Sequence, residues 1–175
     1  MNISCKDYVA EKKRELTEKI SHLEKKPGLT VIQIGDNPSS NSYIRGKEKD
    51  CLEVGINFNL IKLEESVEMS YLTDLILKLN KDSSVHGIIL QLPVPKHIDV
   101  EIIQNLISVY KDVDGFHKSS LYNPCTPQGV INYLKYLNYD SFLETKQLAL
   151  IFLCSLGNTC YLGILKTSML RNLIL

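Results

Sequence analysis

Tyr43 and Lys47 stand four residues apart, a spacing that sets a phenol beside an amine on one helix face. Gln91 closes an apolar run that starts at Val85, and an amide there offers both a donor and an acceptor. Leu92-Pro93-Val94-Pro95 follows at once and can be neither helix interior nor central strand. Its prolines hold the chain extended, leaving carbonyls and apolar rings free to line a flat ligand. Asp112 and Asp114 are two residues apart, so in an extended segment their carboxylates point the same way, with Gly115 permitting a turn. Each feature alone has a plainer reading. The first is a half-buried tyrosine on a lysine stem, the second a stiff connector, the third a solvated turn with a helix cap.

The elements that must position these groups alternate along the chain. Cys5, Val9, Leu16, Ile20 and Leu23 form one apolar stripe of an amphipathic helix over residues 4–25, stopped by Pro27-Gly28. Leu29–Gly35 is rich in β-branched residues and reads as a buried strand. Asp36-Asn37-Pro38 is a turn, Ser39 to Ser42 offer candidate N-caps, and a helix runs to Val54 with Gly55 as its stop. A strand over Ile56–Leu63 and a helix marked by Leu72, Leu75, Ile76 and Leu79 come next, then a strand over Val85–Gln91. Asp99 can cap a helix carrying Ile102, Ile103, Leu106 and Ile107; Thr126 and Pro127 suit the N-cap and first position of another. Leu148–Leu153 reads as a further strand. This order predicts an α/β fold with a mostly parallel sheet flanked by helices. In such a sheet, function collects at the carboxyl ends of the strands, where Gly35–Ser42 and Gln91–Pro95 fall, with Lys111–Gly115 after the following helix.

Composition excludes several classes. Twenty basic residues balance twenty acidic ones, so neither a nucleic-acid groove nor an anionic membrane is indicated as partner. The five cysteines and four histidines show no zinc spacing. The N-terminus lacks the apolar core of a signal peptide, and the run Leu148–Leu156 is too short to span a bilayer. The expectation is a cytoplasmic protein with reduced thiols.

Tyr43-Ile-Arg-Gly-Lys47, Glu53-Val-Gly-Ile56, Gly87-Ile-Ile-Leu-Gln91-Leu-Pro-Val-Pro95, Lys111-Asp-Val-Asp-Gly-Phe116 and Pro124-Cys-Thr-Pro-Gln-Gly129 occur in that order. Over roughly residues 1–150 the chain strongly resembles the methylenetetrahydrofolate dehydrogenase/methenyltetrahydrofolate cyclohydrolase family. The resemblance implies a tetrahydrofolate derivative as substrate, NADP as cofactor and a homodimer. The implied activities are oxidation of 5,10-methylenetetrahydrofolate to the methenyl form and hydrolysis of that form to 10-formyltetrahydrofolate. It further implies that Lys47 is the catalytic lysine, Tyr43 its partner against the aminobenzoate ring, Gln91 the amide that tunes the lysine, and Asp114 the anchor of the pterin. Leu92 and Pro93 are implied to contact the substrate. A lysine that carries protons near neutral pH must bind them less tightly than in water, which partial burial and a cationic ligand bring about. A short-chain dehydrogenase shares the Tyr-x-x-x-Lys pattern but needs an early glycine-rich loop, and the first thirty residues hold only Gly28.

The implied organisation is a folate-binding catalytic domain at 1–123, a linking helix and connection at 124–147, and a remnant of an NADP-binding Rossmann-type domain at 148–175. In that last part the family's glycine-arginine-serine loop is replaced by Leu153-Cys154-Ser155, which leaves Ser155 as the one matching cofactor-loop residue. The absent arginine would pair with the cofactor's phosphate, so this chain is expected not to bind NADP. A frameshifted or early-stopped reading frame is expected, and with it either cyclohydrolase activity alone or a catalytically dead fragment.

Overall fold

The computed structural model describes residues 5–137. Helix α1 (Lys6–Ser21) leads into strand β1 (Gly28–Ile34), helix α2 (Pro38–Val54) and strand β2 (Asn57–Leu63). Helix α3 (Met69–Lys81), strand β3 (Gly87–Leu90), helix α4 (Val100–Leu106) and helix α5 (Cys125–Tyr136) complete the order. The three strands form one parallel sheet in the order β2-β1-β3. The expected α/β architecture with helices about a parallel sheet is therefore present. The strand expected at Leu148–Leu153 lies outside the described residues.

β1 is central and buried at all seven positions, as its mostly apolar, β-branched run favours. Its alternating side chains feed two cores. Leu29 and Val31 pack with Leu16 and Ile20 of α1 and with Ile44, Cys51 and Val54 of α2. Ile32 and Ile34 pack on the other face with Leu72 and Ile76 of α3 and Ile103 of α4. β2, with a neighbour on one side only, alternates between exposed and partly buried side chains. Beside β3, the Ile88 N–H donates to Lys111 O (2.8 Å) and extends the sheet by a single bridge to Asp112.

Several local expectations shift. α1 ends at Ser21, so Leu23 falls beyond the predicted stripe and is exposed. The N-cap of α2 is Asn37, not a serine: its Oδ1 accepts from the N–H groups of Ser39 (2.9 Å) and Ser40 (3.1 Å). Pro38 then occupies the first helical position, where a missing N–H costs nothing. Gly55 closes the helix as expected, at φ 89°, the left-handed conformation of a C-terminal stop. Asp99 caps α4 through the Ile102 N–H at 3.1 Å. α5 starts at Cys125, so Thr126 is inside the first turn, not its cap, and Pro127 sits at the third position. The sheet holds β3 to four residues, shorter than the predicted 85–91 run. Cys51 and Cys125 are buried cysteines, whereas Cys5 is disulfide-bonded, against the expectation of reduced thiols. Among the described residues no helix is long and apolar enough to cross a membrane.

Candidate functional site

The inward face of α2 carries Ser40, Ile44, Cys51 and Val54, all buried, at the four-and-three spacing of a helix stripe. Lys47 occupies the stripe position between Ile44 and Cys51 and is half-buried. An amine thus stands where the pattern calls for an apolar side chain, and its position above the carboxyl end of the sheet gives it polar company. Lys47 Nζ donates to Gln91 Oε1 at 3.1 Å. Gln91 Nε2 donates to Leu92 O at 2.8 Å, which fixes which end of the amide faces the lysine. Ser40 Oγ donates to the same carbonyl at 3.3 Å and ties the start of α2 to the loop after β3. The Leu92–Pro93 peptide bond is cis.

Asp114 lies close enough to the lysine to feel its charge. Burial pushes its carboxyl above the ordinary range, the Lys47 charge opposes that, and Asp112 reinforces it. Cys125, at the start of α5, is buried with its Sγ donating to Val113 O (3.1 Å). Burial raises this thiol, Asp114 and Asp112 raise it further, and Lys47 pulls it down. Cys51, one turn along α2, is pushed up to about 12, chiefly by burial, with Asp50 raising it and Lys47 opposing. Two buried thiols and a carboxyl therefore all feel the same ammonium.

Asp112, 3% exposed, turns back on its own loop and accepts from the N–H groups of Gly115 (3.2 Å), Phe116 (3.3 Å) and His117 (3.0 Å). It shapes the turn from which Asp114 is presented. Gly115 makes that turn at φ 75°, and a Cβ there would meet Asn123 C and Pro124 N at 2.8 Å, so the loop and the approach to α5 depend on it.

The structure brings Lys47, Gln91, Leu92 and Asp114 together. Tyr43 stands one turn before Lys47 at the rim, 44% exposed, and Pro93 is exposed beside Leu92. Ser155 lies outside the described residues. Sequence reasoning missed Gln33 of β1, a buried amide whose Nε2 donates to Asn41 Oδ1 at 2.7 Å. The signal was available: a glutamine inside Leu29–Gly35 is a polar residue in a strand that is otherwise apolar and β-branched.

Fold and site define a parallel α/β lobe with a lysine, a glutamine and an aspartate gathered at the carboxyl edge of the sheet. The chain belongs to the tetrahydrofolate dehydrogenase/cyclohydrolase family, whose catalytic-domain model matches residues 3–114. It is 45% identical over 145 residues to the bifunctional protein FolD of Bacillus cereus strain G9842, covering 75% of this chain and 51% of that protein. Against FolD of Exiguobacterium sibiricum the identity is 45% over 136 residues, covering 71% and 49%. Among solved structures, the bifunctional FolD of Campylobacter jejuni matches with a TM-score of 0.75 at 40% identity, covering 78% of this chain and 53% of that one. The Trypanosoma brucei enzyme complexed with NADP cofactor and inhibitor matches with a TM-score of 0.73 at 27% identity, covering 79% and 52%. The chain spans about half the length of the curated relatives it matches.

Proposed function

We propose that this lobe binds a tetrahydrofolate derivative and takes part in the one-carbon chemistry of its family: oxidation of the methylene form and hydrolysis of the methenyl form to 10-formyltetrahydrofolate. The observation that carries the reading is the Lys47–Gln91 hydrogen bond of 3.1 Å in a chain of this family. In the hydrolytic step water attacks the bridging carbon of the cationic methenyl group, and protons must move between water and ring nitrogen. Lys47 is the group placed to carry them. Gln91, with its nitrogen committed to Leu92 O, keeps its oxygen on the lysine and so directs one of the three ammonium hydrogens. Asp114 offers two acceptor oxygens to the N–H donors of a pterin. Tyr43, half-exposed at the rim, gives an aromatic face to the aminobenzoate ring, and Leu92 and Pro93 line the same wall.

In the oxidative step NADP supplies a direct hydride acceptor, and the protein's part is to position two ligands. Within this reading residues 1–123 form the folate-binding domain, 124–147 the connection, and 148–175 belong to the family's NADP-binding, Rossmann-type part. The setting is the cytoplasm, with a small-molecule folate as partner and neither nucleic acid nor membrane.

The test is the absorbance of methenyltetrahydrofolate on addition of purified protein. The wild-type chain is expected to consume it, and Lys47→Met to abolish turnover while folate binding, followed by fluorescence, survives. Unchanged turnover in Lys47→Met would remove the lysine from this role. A wild-type chain that binds folate without consuming it would reduce the proposal to a binding lobe.

A further inference from the structure

Residues 114–125 form a loop whose two ends meet. The Cys125 N–H donates to Asp114 O at 3.4 Å, and Gly115 lies so close to the returning chain that a Cβ there would stand 2.8 Å from Asn123 C and Pro124 N. Ends held together around a surface excursion are the mark of a compact Ω-loop. Its first part, 115–117, is bonded to Asp112. The arm that follows, 118–124, is held differently. Leu121 is 60% exposed, and Phe116 just before the arm is 50% exposed, so burial of these large apolar side chains does not pin the arm down. A groove of about 760 Å³ runs between the arm and α4, with Ile102 and Asn105 on one wall and His117, Lys118 and Ser119 on the other.

Two polar links join arm to helix, and both start from Lys118. Its ammonium pairs with Glu101 Oε1, through side chains 71% and 68% exposed, a setting in which an ion pair contributes little. Its backbone N–H donates to Asn105 Oδ1 at 3.0 Å, while Asn105 Nδ2 donates to Glu101 O at 2.7 Å. A backbone N–H can only donate and a backbone carbonyl can only accept, so a single orientation of the amide serves both. The end of α4 that carries Asn105 is itself fixed. Asn80 of α3 donates from Nδ2 to Leu106 O (2.7 Å) and accepts from the Ser108 N–H (2.9 Å). Among the described residues, the arm's other hydrogen bonds stay within 117–123 or run to Gln128 of α5.

We propose that Asn105 is a positioning residue for folate binding: by clipping the 118–124 arm to α4 it keeps the loop closed on Gly115 and so holds Asp114 ready for the ligand. This role presupposes the reading of Asp114 given above. The path is short. Asn105 fixes Lys118, the arm returns through Asn123 and Pro124 onto Gly115, and Gly115 follows Asp114 directly. An arm released from α4 gives the turn several arrangements, and selecting one of them on binding costs affinity. Lys47 stands on α2 and Gln91 just after β3, so the proton-carrying pair is left as it is.

Three variants test the clip. Asn105→Ala removes it and leaves a good helix former in α4. It is expected to raise both the Kd for 5-formyltetrahydrofolate, used as a stable tetrahydrofolate, and the KM for methenyltetrahydrofolate by about five- to tenfold, the scale of one hydrogen bond. The kcat and the melting temperature are expected to stay unchanged. Asn105→Asp keeps an oxygen for the Lys118 N–H whichever way the carboxylate turns, and is expected to bind like the wild type. Glu101→Gln breaks only the exposed ion pair and is expected to do the same. A readout free of turnover is hydrogen exchange at the Lys118 amide, faster in Asn105→Ala and slow in the other two. Wild-type affinity in Asn105→Ala overturns the clip, as does equal weakening in Asn105→Asp or Glu101→Gln, or a kcat that falls while KM holds. A wild-type chain that binds no folate overturns the folate reading and this role together, whereas unchanged binding on Asn105→Ala overturns this role alone.

Discussion

Asp112 and Asp114 are separated by one residue and serve opposite ends of the same loop. Asp112 spends both carboxylate oxygens on three backbone N–H groups of residues 115–117, while Asp114 lies within reach of the Lys47 charge. One builds the turn and the other is displayed by it. Substitutions at the two positions should therefore fail in different assays.

Asp112→Ala leaves three N–H groups of the loop without their acceptor, one of them that of the buried Gly115. Stability should fall by about 2–3 kcal/mol, the scale of charge-assisted bonds lost in a buried place. Urea unfolding would show the midpoint moving down at constant slope. An unmoved midpoint would mean that water replaces the carboxylate at no cost, and that the loop does not depend on Asp112.

Gly115→Ala is expected to be at least as harmful, for a steric reason. The added Cβ would stand 2.8 Å from Asn123 C and Pro124 N, both backbone, and the residue would remain at φ 75°. The left-handed conformation alone costs about 1–2 kcal/mol for a residue with a Cβ, and the clash forces the 123–124 segment away. Because the Cys125 N–H donates to Asp114 O at 3.4 Å, that movement should weaken folate binding together with stability. A variant that loses stability but binds folate normally would separate the loop from the site.

Much of this architecture could be read from residue order, and the exceptions share a cause. Lys47 was visible because it stands one helical turn from Tyr43, a local pattern that needs no tertiary knowledge. Asn37 was overlooked as the cap although Pro38 marks the first helical turn and so points to the residue before it. The same rule applied to Thr126-Pro127 misplaced the start of α5, since a proline fits any of the first positions whose N–H is unused. The opposed roles of Asp112 and Asp114 could not be seen, because the two-residue rule holds for a straight strand and Gly115 turns the chain. Periodicity reports which face is buried, whereas hydrogen-bond partners depend on which segments the fold sets side by side.

The last prediction concerns Asp114 and pH. Burial raises the Asp114 carboxyl above its ordinary 3.8, with Lys47 opposing and Asp112 adding to the rise. Between the unfolded value and the raised folded one, the native chain holds a proton that the unfolded chain has released. Stability contributed by this group therefore falls as pH climbs through that window and levels off above it. Below the unfolded value both states are protonated, and the group contributes nothing. Asp114→Asn has no proton to release, so it should melt like the wild type in acid and above it at neutral pH in the ligand-free chain. The same substitution removes a charged acceptor from the cleft and should weaken folate binding by about tenfold or more. Melting curves from about pH 3 to pH 7, spanning the ordinary carboxylate range, together with a folate titration, measure both effects. If wild type and Asp114→Asn coincide in acid but the wild type melts above the variant at neutral pH, the Lys47 charge outweighs burial, and Asp114 is held as a stabilising ion pair instead of being kept ready for a ligand at the expense of stability.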